Sequence, residues 1–407
     1  MSKRKTIWIV NLYASTLDTG IGGRCYYFAK YLSSLGYNVF LFSSSYHHLL
    51  RDAPVVHSKY KVERVDGFNY VWIKMPFYKN AHSKMRIFNE FLFGMRIRKL
   101  FCSEFERPDT IFYSSPSIIA SGGAQYLARK LNSKFVLDVR DLWPLTLIEM
   151  AGYSLKHPAI RLMQHIEIKA YKAADFVTSN WPYAIDYMAT QGVAREKFAW
   201  IPNGFSQEEF DDSEELSSEF LECFPKGKFI VGYTGTLGTA NALDAIIDAA
   251  TFLKSKEEIA FVIVGNGRER QELLSKISER KLSNVHYLGG VRKKQVPQVL
   301  KLFDICYVGF LNISLYRFGS SLTKLPEYFA SGKPILYASS SPFQPVRDAN
   351  AGVTVEAENS QEIANGILKL YGLSEIERKE MGQNGVRVAH REYEYRSLAK
   401  KLESVIF

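Results

Sequence analysis

The sequence is poor in cysteine. Cys25, Cys102, Cys223 and Cys306 are scattered through 407 positions, with no CxxC pair and no zinc-like spacing to the eight histidines. That excludes a disulfide scaffold or zinc module and points to a reducing compartment. Long apolar runs are also missing. Mean hydropathy is −0.14, and no stretch reaches the roughly 18 residues that a spanning helix needs. The opening Met1–Val10 is basic then apolar, but the run breaks at Asn11 and is too short for a secretory signal. Neither proline (14) nor glycine (27) is in excess. With 46% hydrophobic and 23% charged residues, this excludes a disordered, collagen-like or coiled-coil chain.

What the chain does have is length for two or three domains, on a prior of roughly 100–200 residues each. It is also rich in Phe (27) and Tyr (24), a hint of extended apolar or lipid-facing surface. The net charge of +10 is unevenly placed. Residues 1–205 hold 27 Lys and Arg against 15 Asp and Glu, while the remainder holds 25 against 27. A basic first half favours an anionic surface or partner, membrane or polyanion.

Short runs of Val, Ile, Phe and Tyr without clean alternation recur at 6–12, 38–43, 110–114, 134–139 and 175–179. They recur again at 229–234, 260–264, 284–288, 305–309 and 334–337. Such runs fit parallel strands covered on both faces. Helical patterns at 23–35, 242–254, 268–280 and 295–302 lie between them, so the chain is predicted to be α/β, with two Rossmann-like doubly wound domains. A strand-like 198–201 ends in Pro202-Asn203-Gly204, and an acidic stretch follows, which places a linker near 200–225. The expected division is 1–203, 204–385, and a final helical segment 386–407 that packs back toward the first domain.

Five stretches could carry chemistry. Gly20-Ile21-Gly22-Gly23 lies between a strand and a helix start, where backbone N–H groups can approach a phosphate. Its spacing is not GxGxxG, and a tight turn without a ligand reads the same way. Arg140-Asp141, ahead of Leu142-Trp143-Pro144, sits just past the carboxyl end of a strand. Ligands bind there in open α/β sheets, although a structural ion pair would leave the same trace. Gly235-Thr236-Leu237-Gly238 and Gly265-Asn266-Gly267-Arg268 end successive strands of the second half, the latter adding a cation. Finally, Phe318-Gly319-Ser320-Ser321-Leu322-Thr323-Lys324-Leu325-Pro326-Glu327 combines N-cap candidates (Ser320, Ser321, Thr323) with Lys324 and Glu327 on one helix face. Lys suits a phosphate oxygen and Glu suits the vicinal hydroxyls of a ribose; a plain surface Lys–Glu pair is the alternative.

Taken in this order, with Ile201-Pro202-Asn203-Gly204 and the run Ala330-Ser331-Gly332-Lys333-Pro334, the sequence resembles the family 4 glycosyltransferases. These are retaining, nucleotide-sugar-dependent enzymes of the GT-B architecture, and the nearest likeness is to bacterial polysaccharide enzymes (O-antigen or capsule) that handle N-acetylated amino sugars. The resemblance implies two such domains facing a cleft, and transfer of a hexosamine-like sugar from a nucleoside-diphosphate donor, UDP most of all. The acceptor would be a saccharide or a lipid-linked saccharide. It implies that Glu327, the second acid of the family's Glu-x7-Glu motif, holds the donor ribose. The first acid would fall at Gly319, so this chain departs from the pattern there. Lys324 and Arg268 then become candidates for neutralising the diphosphate, and Val291 for contacting the base through its backbone. Gly22, Gly23, Gly235, Thr236, Gly238 and Ser321 would contribute donor contacts. Arg140 stands where many members carry His, which gives Arg140 and Asp141, with Lys324, the candidate catalytic roles. No metal or other cofactor is implied, because helix ends and cations replace the metal.

The stretch 84–101 mixes cations with large apolar residues and could lie in a membrane interface, although an ordinary buried helix with a basic end has the same composition. A cytoplasmic enzyme, peripheral on the inner membrane face, is the expectation. A GT-B nucleotide-sugar epimerase is the alternative enzyme; it would need a carboxylate pair or a His, and Asp141 is the candidate. A non-catalytic nucleic-acid binder lacks the aromatic and basic motifs of such modules.

Overall fold

The computed structural model describes residues 4–79, 83–100 and 104–407. The chain divides into two compact units, one of residues 1–202, 318–321 and 395–407, the other of 203–317 and 322–394. Residues 386–394, expected with the terminal segment, thus belong to the second unit, and the helix that joins the first is Tyr395–Ile406.

The first unit is built on eight strands: β1 (Thr6–Val10), β2 (Asn38–Ser44), β3 (Tyr60–Val65), β4 (Phe68–Ile73), β5 (Thr110–Ser114), β6 (Lys134–Val139), β7 (Phe176–Ser179) and β8 (Phe198–Trp200). Their order is β3-β4-β2-β1-β5-β6-β7-β8. All neighbours run parallel except β3 and β4, which form an antiparallel hairpin. Sequence patterning missed this hairpin because β3 is an edge strand that reads as a polar segment. Its turn signal was nevertheless present: Asp66 and Gly67 both have positive φ (41° and 87°), as a two-residue hairpin turn needs. Helix α1 (Arg24–Ser34) and the C-terminal helix Tyr395–Ile406 pack into one buried cluster with β1 and β2. The rings of Tyr27 and Tyr395 stack there at 4.4 Å.

Helix α2 (Lys84–Arg98) meets α3 (Ser121–Leu131) at very close range. A Cβ on Gly123 would lie 2.0 Å from the Gly94 carbonyl oxygen, so the crossing requires glycine. The opposite face of α2 is not buried: Met85, Ile87, Phe88, Phe91 and Met95 are all exposed, Ile87 to 61%. The stretch 84–101 thus holds a helix packed by one face, through Asn89, Glu90, Phe93, Gly94 and Ile97, and exposed on the other; residue 101 lies outside the described residues.

The second unit holds β9 (Phe229–Thr234), β10 (Ile259–Val264), β11 (Val285–Tyr287), β12 (Ile305–Gly309), β13 (Ile335–Ala338) and β14 (Gly352–Val355), all parallel, in the order β11-β10-β9-β12-β13-β14. Buried clusters cover both faces of this sheet, so β9, β10 and β12 are continuously buried. That burial explains their unbroken apolar sequences. The segment expected as an irregular linker carries two short helices, Gln207–Asp211 and Ser218–Cys223.

Candidate active site

In the first unit, Gly22 and Gly23 take φ of 67° and 86° and end at the start of α1, where Gly23 is the N-cap. No side chain caps this helix, so its first-turn N–H groups are left for solvent or a ligand. A pocket of about 350 Å³ opens there, lined by Gly22, Gly23, Arg86, Arg140 and Asp141 together with Tyr13 and His48. The structure thus brings together two predicted pairs, Gly22-Gly23 and Arg140-Asp141, that lie far apart in the chain.

The alternative reading of Arg140 and Asp141 as a structural ion pair does not account for the loop. The buried ion pair is Arg24–Asp138, with Arg24 Nε 3.1 Å from Oδ2 and Nη2 2.9 Å from Oδ1. Asp138 also accepts from Ser114 Oγ (2.8 Å) and Thr178 Oγ1 (2.7 Å), which satisfies a carboxylate with no exposure. Arg140 is held by its main chain, its N–H donating to Ser115 Oγ and its carbonyl accepting from Trp181 Nε1. Its guanidinium Nε is buried without a partner among the described residues. Burial raises the carboxyl of Asp141 above the usual range, and Arg140 opposes that shift. Tyr13 and His48, from two loops, left no sequence signal, and Arg86 lies in the stretch 84–101, whose pattern did not point to this site. Arg86 Nε donates to Tyr13 Oη (3.0 Å), and Tyr13 donates to Glu90 (2.9 Å).

In the second unit the two glycine turns pack on each other. A Cβ on Gly265 would lie 1.8 Å from the Gly235 carbonyl oxygen, and one on Gly267 2.0 Å from that of Leu237. The N–H groups of Gly235 and Leu237 bond to Val264 and Asn266 carbonyls at 3.0 Å. Turn-to-turn packing therefore accounts for much of this glycine pattern.

Beside these turns stands Lys324, the first residue of the helix Lys324–Ala330. The helix is fixed to the end of β9 by fully buried Tyr328, whose Oη accepts from Thr234 N (2.7 Å) and donates to Thr234 O (3.0 Å). One turn earlier, Lys324 Nζ donates to Tyr233 Oη (2.8 Å) and Asn241 Oδ1 (2.6 Å). Tyr233 Oη and Asn241 Nδ2 in turn both donate to the carbonyl of Thr236 (2.7 and 2.9 Å), so each presents only lone pairs to the ammonium. No carboxylate pairs with Lys324 among the described residues, and burial pulls its pKa down to about 7. Two of three N–H donors are engaged by neutral groups; the third remains.

Arg268 is exposed and donates to Thr239 Oγ1 (2.6 Å), so both cations are tethered to the same short turn, Thr239–Asn241. The alternative reading, a plain Lys324–Glu327 surface pair, is not realised: Glu327 binds Lys293 instead. The serine N-caps are not realised either. Thr323 holds the cap position without a side-chain bond, and the helix has seven residues. Ser321 lies in the segment 318–321 that groups with the first unit. Gly319 has φ of 89°, a conformation that disfavours any L side chain, so the family's first acid could not replace it without strain. Gly238 is extended at φ −150°. Val291 is half-buried, and neither its N–H nor its C=O bonds to another described residue. Asn241 and Tyr328 carry no motif and were not legible in advance. Among the described residues no group of three or more His, Cys, Asp or Glu could hold a metal ion, and no helix is long and apolar enough to cross a membrane.

Two α/β units, with a half-buried lysine held by neutral partners at the strand ends of the second, have the architecture of the GT-B glycosyltransferases. Comparison with known proteins agrees. A glycosyl transferase 4-like domain matches residues 19–204 and the glycosyl transferases group 1 domain matches 218–388; the chain belongs to this glycosyltransferase family. It is 23% identical over 294 residues, 70% of this chain and 72% of the relative, to the putative colanic acid biosynthesis glycosyl transferase WcaI of Escherichia coli K12. In fold it resembles sucrose-phosphate synthase from Thermosynechococcus elongatus (TM-score 0.74, 14% identity, 99% and 98% of the two chains). It also resembles Anabaena HepE in complex with UDP and glucose (TM-score 0.65, 15% identity, 98% of each).

Proposed function

We propose that the chain transfers a sugar, an N-acetylated hexosamine or a relative of it, from UDP to a saccharide or lipid-linked saccharide in surface polysaccharide synthesis, with retention at the anomeric carbon. The observation that carries this reading is Lys324, a half-buried ammonium with neutral partners and one donor to spare. A diphosphate is the ligand that would compensate its charge, and the charge developing on the leaving diphosphate strengthens that contact in the transition state. Arg268 would reach the same group from the far side of the Thr239–Asn241 turn, with Gly235, Thr236 and Gly238 framing it. Glu327 would exchange Lys293 for the ribose hydroxyls, and the free backbone of Val291 would meet the base.

In the first unit, the uncapped start of α1 at Gly22 and Gly23, with Arg140, supplies positive potential for a phosphoryl or sugar oxygen. Asp141, its carboxyl raised, would hold an acceptor hydroxyl. No metal is required in this scheme. Two features support a surface-polysaccharide role: the relative named for colanic acid biosynthesis, and the exposed apolar face of α2, which suits an acceptor presented at a membrane. The epimerase alternative is not favoured, since both matched domains are those of transferases.

The test is a thermal-shift screen of nucleoside diphosphates and their sugars, since a ligand specific to the folded state raises the melting temperature by mass action. UDP and a UDP-sugar should stabilise the wild type, and Glu327→Ala should lose the sugar-nucleotide shift while keeping its fold. An unchanged shift in that variant would refute the ribose assignment.

A further inference from the structure

One wall of the first-unit pocket is held by a network that donor binding does not use. Glu90 is buried on the inner face of α2, and its carboxylate gathers groups from three elements. Oε1 accepts from Tyr13 Oη (2.9 Å), in the loop after β1, and Oε2 from Ser117 Oγ (2.9 Å), in the loop after β5. Arg86, one turn earlier on α2, places Nε 3.5 Å from Oε1 and 3.0 Å from Tyr13 Oη. Burial raises the Tyr13 phenol above its usual range, so it keeps its proton for Glu90. The Tyr13 ring meets those of His47 and His48 edge to face, at 5.5 and 5.7 Å. Tyr13, Arg86 and His48 line the pocket, whereas Glu90 does not.

A buried carboxylate is costly, and an apolar residue would serve the packing of α2 at least as well. What Glu90 adds is direction and charge. It fixes the phenol and the guanidinium through charge-assisted contacts, and it cancels the charge of Arg86. Arg24, in the same pocket, is likewise paired with Asp138 (2.9 Å). This wall therefore offers fixed N–H donors and aromatic rings without net positive charge. A phosphate seated on it would need the charge that Glu90 removes. A neutral sugar needs what is present, because its hydroxyls both donate and accept while its C–H faces pack on rings.

We infer that Tyr13, Arg86 and His48 form the subsite of a neutral acceptor sugar, with Glu90 as the positioning residue that keeps phosphate out of it. The inference deepens the glycosyl-transfer reading and rests on it. The accepting oxygen then belongs to a sugar hydroxyl rather than to a lipid phosphate. The reaction that supplies this substrate is an earlier sugar transfer, and this enzyme extends a saccharide already begun.

Saturation-transfer NMR on the full chain with UDP present tests this. One probe set is the methyl glycosides of the common neutral hexoses and N-acetylhexosamines; the other is methyl phosphate. Wild type should transfer saturation to the ring protons of at least one glycoside and not to methyl phosphate. Glu90→Gln keeps the shape and removes the charge. It should weaken glycoside binding roughly tenfold and gain binding of methyl phosphate, a reversal that lost packing alone would not produce. Tyr13→Phe, a milder change, should weaken the glycoside by a similar factor without that gain, since Glu90 remains. Both variants should keep the UDP-induced thermal shift, which reports the second unit. The subsite would be overturned by wild-type binding of methyl phosphate that Arg86→Gln abolishes, by no glycoside binding in the wild type, or by glycoside binding unchanged in both variants. A Glu90→Gln variant that gains no phosphate would overturn the role given to its charge. In each case an intact UDP shift leaves the donor reading standing, whereas a wild type with no UDP shift is the failure of that reading instead.

Discussion

Lys324 Nζ and Asn241 Oδ1 are 2.6 Å apart, although 83 residues separate them in the chain. The amide is oriented by its other end, which donates to the Thr236 carbonyl, so its oxygen faces the ammonium. Asn241 therefore positions the cation without neutralising it. Asn241→Ala should weaken UDP binding roughly tenfold, the range of one hydrogen bond to a charged group. Asn241→Asp should weaken it further, because a carboxylate at that distance would compete with the diphosphate. Calorimetric titration with UDP measures both, and an Asp variant that binds as tightly as wild type would show that Lys324 is not the diphosphate contact.

The depressed pKa of Lys324 sets a pH dependence. Burial lowers it from 10.5 to about 7, so the ammonium is charged below that value and becomes a neutral amine above it. A diphosphate binds the charged form. UDP affinity should therefore fall as pH rises from 7 toward 9, by up to about tenfold per unit until the pKa of the complex is reached. Titration of binding against pH checks this, and the slope should vanish in Lys324→Met.

A second buried group acts on stability rather than on binding. Glu167 is 1% exposed, accepts from Tyr171 and Tyr187 (2.9 Å each), and is raised by desolvation from 4.5 to about 7. Between those values the unfolded carboxyl has lost its proton while the folded one keeps it. The folded state binds more protons, so stability falls as pH rises through this window and stays lower above it. Thermal melts should show wild type losing about 2–3 kcal/mol from pH 5 to pH 8, and Glu167→Gln should lose much less. A wild-type profile that rises over the same window would contradict the assignment.

Much of the fold was legible because β1, β5, β6, β9 and β12 are covered on both faces and so read as short unbroken apolar runs. The exposed edge strand β3 was not, since its residues face water and alternate with charge. Of the candidate site, Lys324, Glu327 and the glycine turns were visible as local patterns. Their partners were not. Arg24 finds Asp138 across 114 residues, and Glu327 finds Lys293 rather than its helical neighbour, because the sheet order, not the chain, decides which loops meet. The glycines also carried a different message from the one first read. Gly235 and Gly265 are needed where two turns press backbone on backbone, whatever ligand lies above them.

The central claim is that the chain keeps a costly, half-buried cation at Lys324 for a diphosphate. Lys324→Met tests it directly, in one pair of measurements on the same protein: the melting temperature without ligand, and UDP affinity by calorimetry. Removing a partly desolvated ammonium that no carboxylate compensates should leave the melting temperature unchanged or raised, while UDP affinity falls at least roughly tenfold through loss of a charged hydrogen bond. A variant that binds UDP as tightly as wild type would contradict the account.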